Sequence, residues 1–288
     1  MKKILAASLL LSTLLFGSSI LLKNSQDIDG FNSPESVFVN GKDVYVSNVG
    51  IKLEPLAKDN DGYISKLDSS GKIIEHKFIS GMNAPKGMSI IGDVLYVVDI
   101  DVLKGFNLKN KKLVFELPIT NAIFLNDIAV LDKNTLYVSD TGTGTIHQIN
   151  LKNKTYKTLV ALDIKKYGGP NGLLIDKKNH KLYSVGYDPI GDNGGVVISI
   201  NLNTKTHKPH QISNIRGQLD GVAFDSKGNL LVSSWGEGLK GMIYSIDANG
   251  KATQLDLPPM AGPADIFYDG KYLWIPKMAE NKVLKIRY

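Results

Sequence analysis

The sequence contains no cysteine. That excludes disulfides, thiolate metal sites, iron–sulfur clusters and thiol catalysis. Arginine is nearly absent as well: 34 residues are basic, but only Arg216 and Arg287 are arginines. The lysines are scattered without a cluster, so the net charge of +6 describes a solvated exterior and not a phosphate-binding stripe. No nucleic-acid partner is expected. The motifs G-x-S-x-G, H-E-x-x-H and G-x-x-x-x-G-K are missing, and Gly142-Thr143-Gly144-Thr145 is only a glycine-bearing connection between strands. Hydrophobic content of 43% with 22% charged residues excludes a disordered or fibrous chain.

One long apolar run stands at the N-terminus. Lys2 and Lys3 precede the apolar stretch 4–16, and Gly17-Ser18-Ser19 supplies small residues at the end of it. This pattern predicts a signal peptide over residues 1–19, with the mature protein periplasmic or secreted. The alternative is an uncleaved membrane anchor over residues 4–22, which is just long enough to span a bilayer. The rest of the chain, residues 20–288, is expected to form one domain with no other membrane contact.

That domain is built from a repeat. Six units share an apolar strand, a turn, and a second strand resembling LYVSD; they begin at Pro34, Pro85, Leu125, Pro170, Leu219 and Pro263. Turns such as Asn40-Gly41 and Asp269-Gly270 separate β-branched and aromatic runs, which is hairpin chemistry. Third strands follow, as in 63–67, 145–149 and 242–246, then more polar fourth strands, as in 73–79, 156–161 and 252–257. Four strands per unit and a period of roughly 45 residues predict an all-β, six-bladed β-propeller. The sixth unit ends after its third strand, 283–287. The segment 21–28 precedes Pro34 much as fourth strands precede the other units. It is therefore expected to pair with the last blade and close the ring, removing an exposed sheet edge.

The residue expected just before each inner strand is, in order, Glu35, Lys86, Asn126, Asn171, Asp220 and Ala264. Equivalent positions in a propeller surround the mouth of the central tunnel. Two carboxylates and two amide carbonyls on one axis suit a hard divalent cation, which calcium exemplifies with its 6–8 oxygen ligands. Softer metals would call for His or Cys, which this ring lacks. Asn, Asp and Gly are also ordinary turn residues, and Lys86 could instead balance the carboxylates without a metal.

With those residues in place, the sequence resembles the SMP-30/gluconolactonase/LRE-like propellers and their relatives, diisopropyl fluorophosphatase and the serum paraoxonases. The resemblance spans essentially residues 20–288 and rests on LND (125–127), PNG (170–172) and LDG (219–221). It implies that Glu35, Asn126, Asn171 and Asp220 hold one divalent cation, calcium or else Mg, Mn or Zn, and that Asp127 supports these ligands. Two positions depart from the pattern: Ser36-Val37-Phe38 follows Glu35 where the family usually has Gly-Pro and then Trp, and Phe124 stands where sugar-lactone members tend to have arginine. A less polar lactone or ester is therefore as open as gluconolactone.

The expected activity is metal-dependent hydrolysis of a lactone or ester. A bound cation polarises the carbonyl, Asp220 serves as general base or nucleophile, and Lys86 stabilises the oxyanion, binds an acidic substrate, or balances Glu35. Loops between second and third strands are long in blades one (48–62) and four (186–195), which face each other across a six-blade ring. Leu53, Pro55, Leu56, Tyr187, Pro189 and Ile190 are expected to form an apolar substrate lid there. Asp59, Asn60, Asp61 and Asp192 read as solvated turn residues with the chemistry for a further cation. His76, His147, His207 and His210 are placed on third or fourth strands and His180 in a hairpin, away from the ring. A small-molecule substrate and a monomer are expected. Two other classes remain open: an exported propeller that binds a ligand or protein without catalysis, and a quinone-dependent sugar oxidase.

Overall fold

The computed structural model describes residues 21–288 except Asp192; the signal segment expected at 1–19 lies outside the described residues. The described residues form six four-stranded antiparallel sheets, the blades of a six-bladed β-propeller. The inner strands are Pro34–Asn40, Pro85–Ile91, Leu125–Val130, Gly169–Asp176, Leu219–Phe224 and Phe267–Tyr268. The sixth is the shortest, because ladder pairing around Asp265 goes sideways: Ser36 of blade one bridges Asp265 in parallel. Among the described residues, no helix is long and apolar enough to cross a membrane.

Alternation explains where the core lies. The second strands, such as Thr135–Asp140, are almost wholly buried because both faces meet a neighbouring blade. Between blades two and three, Leu103, Leu125, Leu136, Val138 and Ile149 form one such layer. Equivalent layers fill the other gaps. Outer strands such as Thr155–Ala161 are largely exposed, which accounts for their polar sequences.

The ring closes as the repeat count predicts. Ser25–Ile28 pairs antiparallel with Lys282–Arg287, with Ile28 opposite Val283, and completes the sixth blade. The pairing strand is shorter than the expected 21–28, since Leu22–Asn24 forms a single 3₁₀ turn. Ile28 and Phe31 are buried in the seam between first and last blades, and Lys277 reaches Asp27 at 2.9 Å. His207 departs from its expected strand, lying in the connection before Pro209–Gly217 with φ of 45°.

At the ring the ladders break. Pairing of inner with second strand is interrupted between Pro34 and Ser36, Pro85 and Met88, Leu125 and Ile128, Pro170 and Leu173, and Leu219 and Val222. Each interruption spans a ring residue. A bulge turns a side chain off the sheet face, and here it frees that residue to point along the axis. The glycine of PNG follows from this crowding. A Cβ on Gly172 would fall onto the carbonyl oxygen of Asp220, and one on Gly221 onto the backbone of Ala264–Ile266. The serine of LYVSD has a similar cause. Ser139 Oγ accepts the Asp127 amide (2.9 Å) and donates to Asn171 O (2.6 Å), stitching blade three to blade four; Ser233 does the same between Gly221 N and Ala264 O.

Truncating the closing strand tests its weight. Ile28→Ala is expected to cost about 2–4 kcal/mol, or roughly 5–10 °C in Tm for a chain of this size, and deleting residues 20–30 should cost more. A melting temperature unchanged by the deletion would show that the ring closes without this strand.

Candidate functional site

A cavity of about 390 Å³ opens at one end of the tunnel. Glu35, Lys86, Asn126, Asn171 and Asp220 line it, which are five of the six ring residues. All five are buried. The sixth, Ala264, packs into an apolar hub with Val49, Ala84, Ile100 and Met278 instead.

Hydrogen-bond accounting singles out the same residues. Among the described residues, the fully buried side-chain atoms left without a partner are Glu35 Oε2, Asn126 Oδ1, Asn171 Oδ1, Asp220 Oδ1 and the two ring nitrogens of His147. A buried polar atom without a partner costs about 1–3 kcal/mol. Four such oxygens lining one cavity mark a place built for an electropositive guest. Two belong to carboxyl groups and all four are hard donors, so the set fits a calcium-type cation. Among the described residues no group of three or more His, Cys, Asp or Glu is placed to hold a metal. The donor set is therefore mixed, with amide carbonyls supplying half.

Charge makes the same point. Burial pushes the Glu35 carboxyl well above its usual range, and the charges of Asp220 and Asp265 add to this while Lys86 opposes it. Burial also lifts Asp220 to about 7, against the indole N–H of Trp235, which donates to Oδ2 at 2.6 Å. Asp265 is likewise raised to about 7 by burial, against the Ser36 hydroxyl. Asp127 is raised by burial and by Asp265, although backbone amides of Ile128 and Leu173 donate to its two oxygens at 2.6 Å. Through those amides Asp127 ties the strand carrying Asn126 to the strand carrying Asn171.

Among the described residues, Lys86 is the one basic residue lining the cavity, and burial lowers it to about 8 against the pull of Glu35, Asp99 and Asp220. Its ammonium makes no ion pair with a described carboxylate; Nζ donates to Pro55 O (2.8 Å) and Ala84 O (2.9 Å) and stands 5.0 Å from the Phe124 ring centre. Asp99 and Asp140, the last residues of their LYVSD-type strands, aim elsewhere. They cap the backbone N–H groups of Asn83 and Ala84, and of Ile123 and Phe124, so that they fix the chain entering the ring.

The walls are apolar. Leu53, Pro55 and Leu56 from blade one and Tyr187, Pro189 and Ile190 from blade four all line the cavity, so the two long loops do face the same opening. Ile123, Phe124, Gly142, Trp235 and Met278 complete it. The sequence reading did not single out Trp235, Met278 or Ile123. The one available signal was Trp235, one of two tryptophans, directly after the second strand of the blade that carries Asp220. Asp61 accepts the Ile51 amide and Asp59 the Asp61 amide, as turn residues do; Asp192 lies outside the described residues. Among the described residues, no histidine lines the cavity. His147 is buried edge-on to Tyr156, and burial lowers its pKa.

No protein-family model and no curated protein matches the chain. Solved structures do. A gluconolactonase from Xanthomonas campestris aligns over 91% of this chain and 89% of its own with a TM-score of 0.71 at 11% identity. A putative gluconolactonase aligns over 92% and 91% with a TM-score of 0.66 at 14% identity. An inactive variant of virginiamycin B lyase from Staphylococcus aureus, solved with quinupristin, aligns over 92% and 99% with a TM-score of 0.60 at 14% identity. The class is thus a six-bladed propeller of gluconolactonase-like fold. At these identities the likeness concerns the fold alone.

The raised carboxylates predict how stability depends on pH without metal. A carboxyl whose pKa in the fold exceeds its unfolded value stabilises below the unfolded value, and that contribution is lost as pH rises through the folded one. For Asp220 and Asp265 the window runs from about 4 to about 7. Melting of the protein in chelator should therefore fall by several degrees between pH 5 and pH 8. Added calcium should raise Tm more at pH 8, where the carboxylates are ionised. A flat Tm in chelator across this range would contradict the buried, uncompensated acids.

Proposed function

We propose that the protein is a divalent-cation-dependent hydrolase of a lactone or ester, with calcium as the expected ion. Glu35, Asn126, Asn171 and Asp220 would hold it. The observation that carries this reading is the set of four partnerless buried oxygens lining one cavity floor. The fold likeness to gluconolactonases is consistent with it. A cation in such a ring supplies Lewis acidity, polarising a carbonyl oxygen and making its carbon a better electrophile.

The chain's own residues do the rest. Trp235 holds Asp220 Oδ2 through its indole N–H, which fixes the plane of the carboxylate beside the cavity. So oriented, Asp220 accepts the proton of a water that attacks the carbonyl carbon, and the acyl C–O bond breaks as that proton passes to the departing oxygen; if Asp220 attacks the carbon itself, the same bond breaks and water then hydrolyses the acyl-enzyme to free the acid. Glu35 has no such partner on Oε2 and serves to hold the ion. The apolar walls take the body of the substrate and exclude bulk water, which strengthens every electrostatic interaction at the floor. Asp127 and the stitches through Ser139 hold the ligand-bearing strands in register. Residues 1–19 are assigned as an export signal, residues 20–288 as a single propeller domain, and the compartment as periplasmic or extracellular.

Calorimetric titration of metal-free protein with calcium tests the ring. Asn171→Ala and Asp220→Ala should each weaken binding by about tenfold or more, equivalent to about 1.4 kcal/mol. Asp220→Ala should also abolish hydrolysis of lactones and esters. Unchanged affinity in both variants would dispose of the site. Tight calcium binding by a wild-type protein that turns over no lactone, ester or phosphotriester would favour the other class, a propeller that binds without catalysis.

A further inference from the structure

Lys86 occupies a ring position but does not behave as a ring residue. The other polar members of the ring each leave an oxygen partnerless over the cavity. Lys86 is 1% exposed, yet its Nζ turns to two backbone carbonyl oxygens. One, Ala84 O, lies on the chain entering its own strand. The other, Pro55 O, belongs to the middle of the blade-one loop, 31 residues away.

That loop has few other ties to the body. Residues 51–61 carry no strand or helix, and Ile51, Leu53 and Leu56 are exposed. At its ends, Ile51 N donates to Asp61 and Asn60 N to Asn83. The bonds Glu54 N to Lys52 O and Ala57 N to Glu54 O are internal to it. The remaining tie is Lys58 to Asp101 at 2.6 Å, an exposed pair of a kind that contributes little. The half-buried, charge-assisted bond from the Lys86 ammonium to Pro55 O is the stronger anchor. The facing blade-four loop is held by a different device. Asp188 accepts the amides of Ile190 and Asn193, Gln218 accepts the Asp188 amide, and Arg216 donates to Gly194 O.

We propose that Lys86 is a positioning residue, a strap that holds the blade-one loop down so that Leu53, Pro55 and Leu56 form the cavity wall opposite Tyr187, Pro189 and Ile190. The strap itself stands apart from the hydrolase reading; only its consequence for substrate rests on that reading. The loop carries Lys52 and Lys58, which makes trypsin a direct probe of its opening.

In folded Lys86→Met protein, cleavage after Lys52 should rise about tenfold over wild type, while Lys86→Arg, which keeps the donors, should restore most of the resistance. Lys58→Ala, which removes the exposed pair, should leave cleavage after Lys52 within about twofold of wild type. Equal cleavage in Lys86→Met and wild type, or opening by Lys58→Ala alone, would overturn the strap. Hydrogen exchange on wild-type protein covers the case in which Lys86→Met does not fold: the Ala57 amide should exchange at least about tenfold slower than in a free peptide, and exchange at the free-peptide rate would overturn the proposal. With an alkyl-substituted lactone as probe, Lys86→Met should raise KM about tenfold and leave kcat within about threefold. A collapse of kcat at unchanged KM would place Lys86 at the reacting atoms and overturn the positioning role. If wild type hydrolyses no lactone, the hydrolase reading fails and the proteolysis still decides the strap.

Discussion

Six inner strands converge on one axis, and five of their ladders break at the residue that meets it. This convergence sets the terms for everything around the tunnel. Side chains at the breaks face neither a partner strand nor open solvent. Glycine follows Asn171 and Asp220 because the next blade's backbone occupies the space of a side chain. Serines in alternate blades bridge amide to carbonyl across the gaps, since a crowded backbone without ladder partners still needs its hydrogen bonds satisfied.

The same crowding concentrates negative charge where water is scarce. Burial raises the pKa of Glu35, Asp127, Asp220 and Asp265, and the charge of Asp265 raises the first three further. Lys86 offsets only part of that field, because its ammonium is directed to carbonyl oxygens and away from direct pairing. A buried cluster of this kind destabilises the fold unless something of opposite charge completes it. Two backbone amides relieve Asp127 in part, as the Ser36 hydroxyl does Asp265. Glu35 and Asp220 each keep an oxygen with no such relief. The division separates acids that hold the fold together from acids available for chemistry.

Much of the architecture was legible in the residues. Strand pairs repeated at near-constant spacing because every blade must bury the same two faces, and that periodicity survives in sequence whatever the side-chain details. The missing fourth strand after Arg287 pointed to the N-terminal segment as its replacement for the same reason. The ring was legible too, since equivalent positions in a symmetric fold must meet. Less was visible at the walls. Trp235 and Met278 reach the cavity from connections that obey no repeat, and the position of His207 in a left-handed turn has no periodic signature.

The sequence alone determined the blade count, the order of polar residues around the axis and the apolar character of two long loops, because each follows from periodicity and residue type. Tertiary structure decided which polar atoms lack partners, and hence which oxygens are available to a ligand. It also decided that Trp235 orients Asp220 and that Lys86 bonds to a carbonyl in the loop above it. Those outcomes depend on which groups approach within hydrogen-bonding distance, inside one blade for Trp235 and Asp220, 15 residues apart, and between neighbouring blades for Lys86 and Pro55, 31 apart. Distances of that kind arise only when each blade folds and the blades pack around the axis.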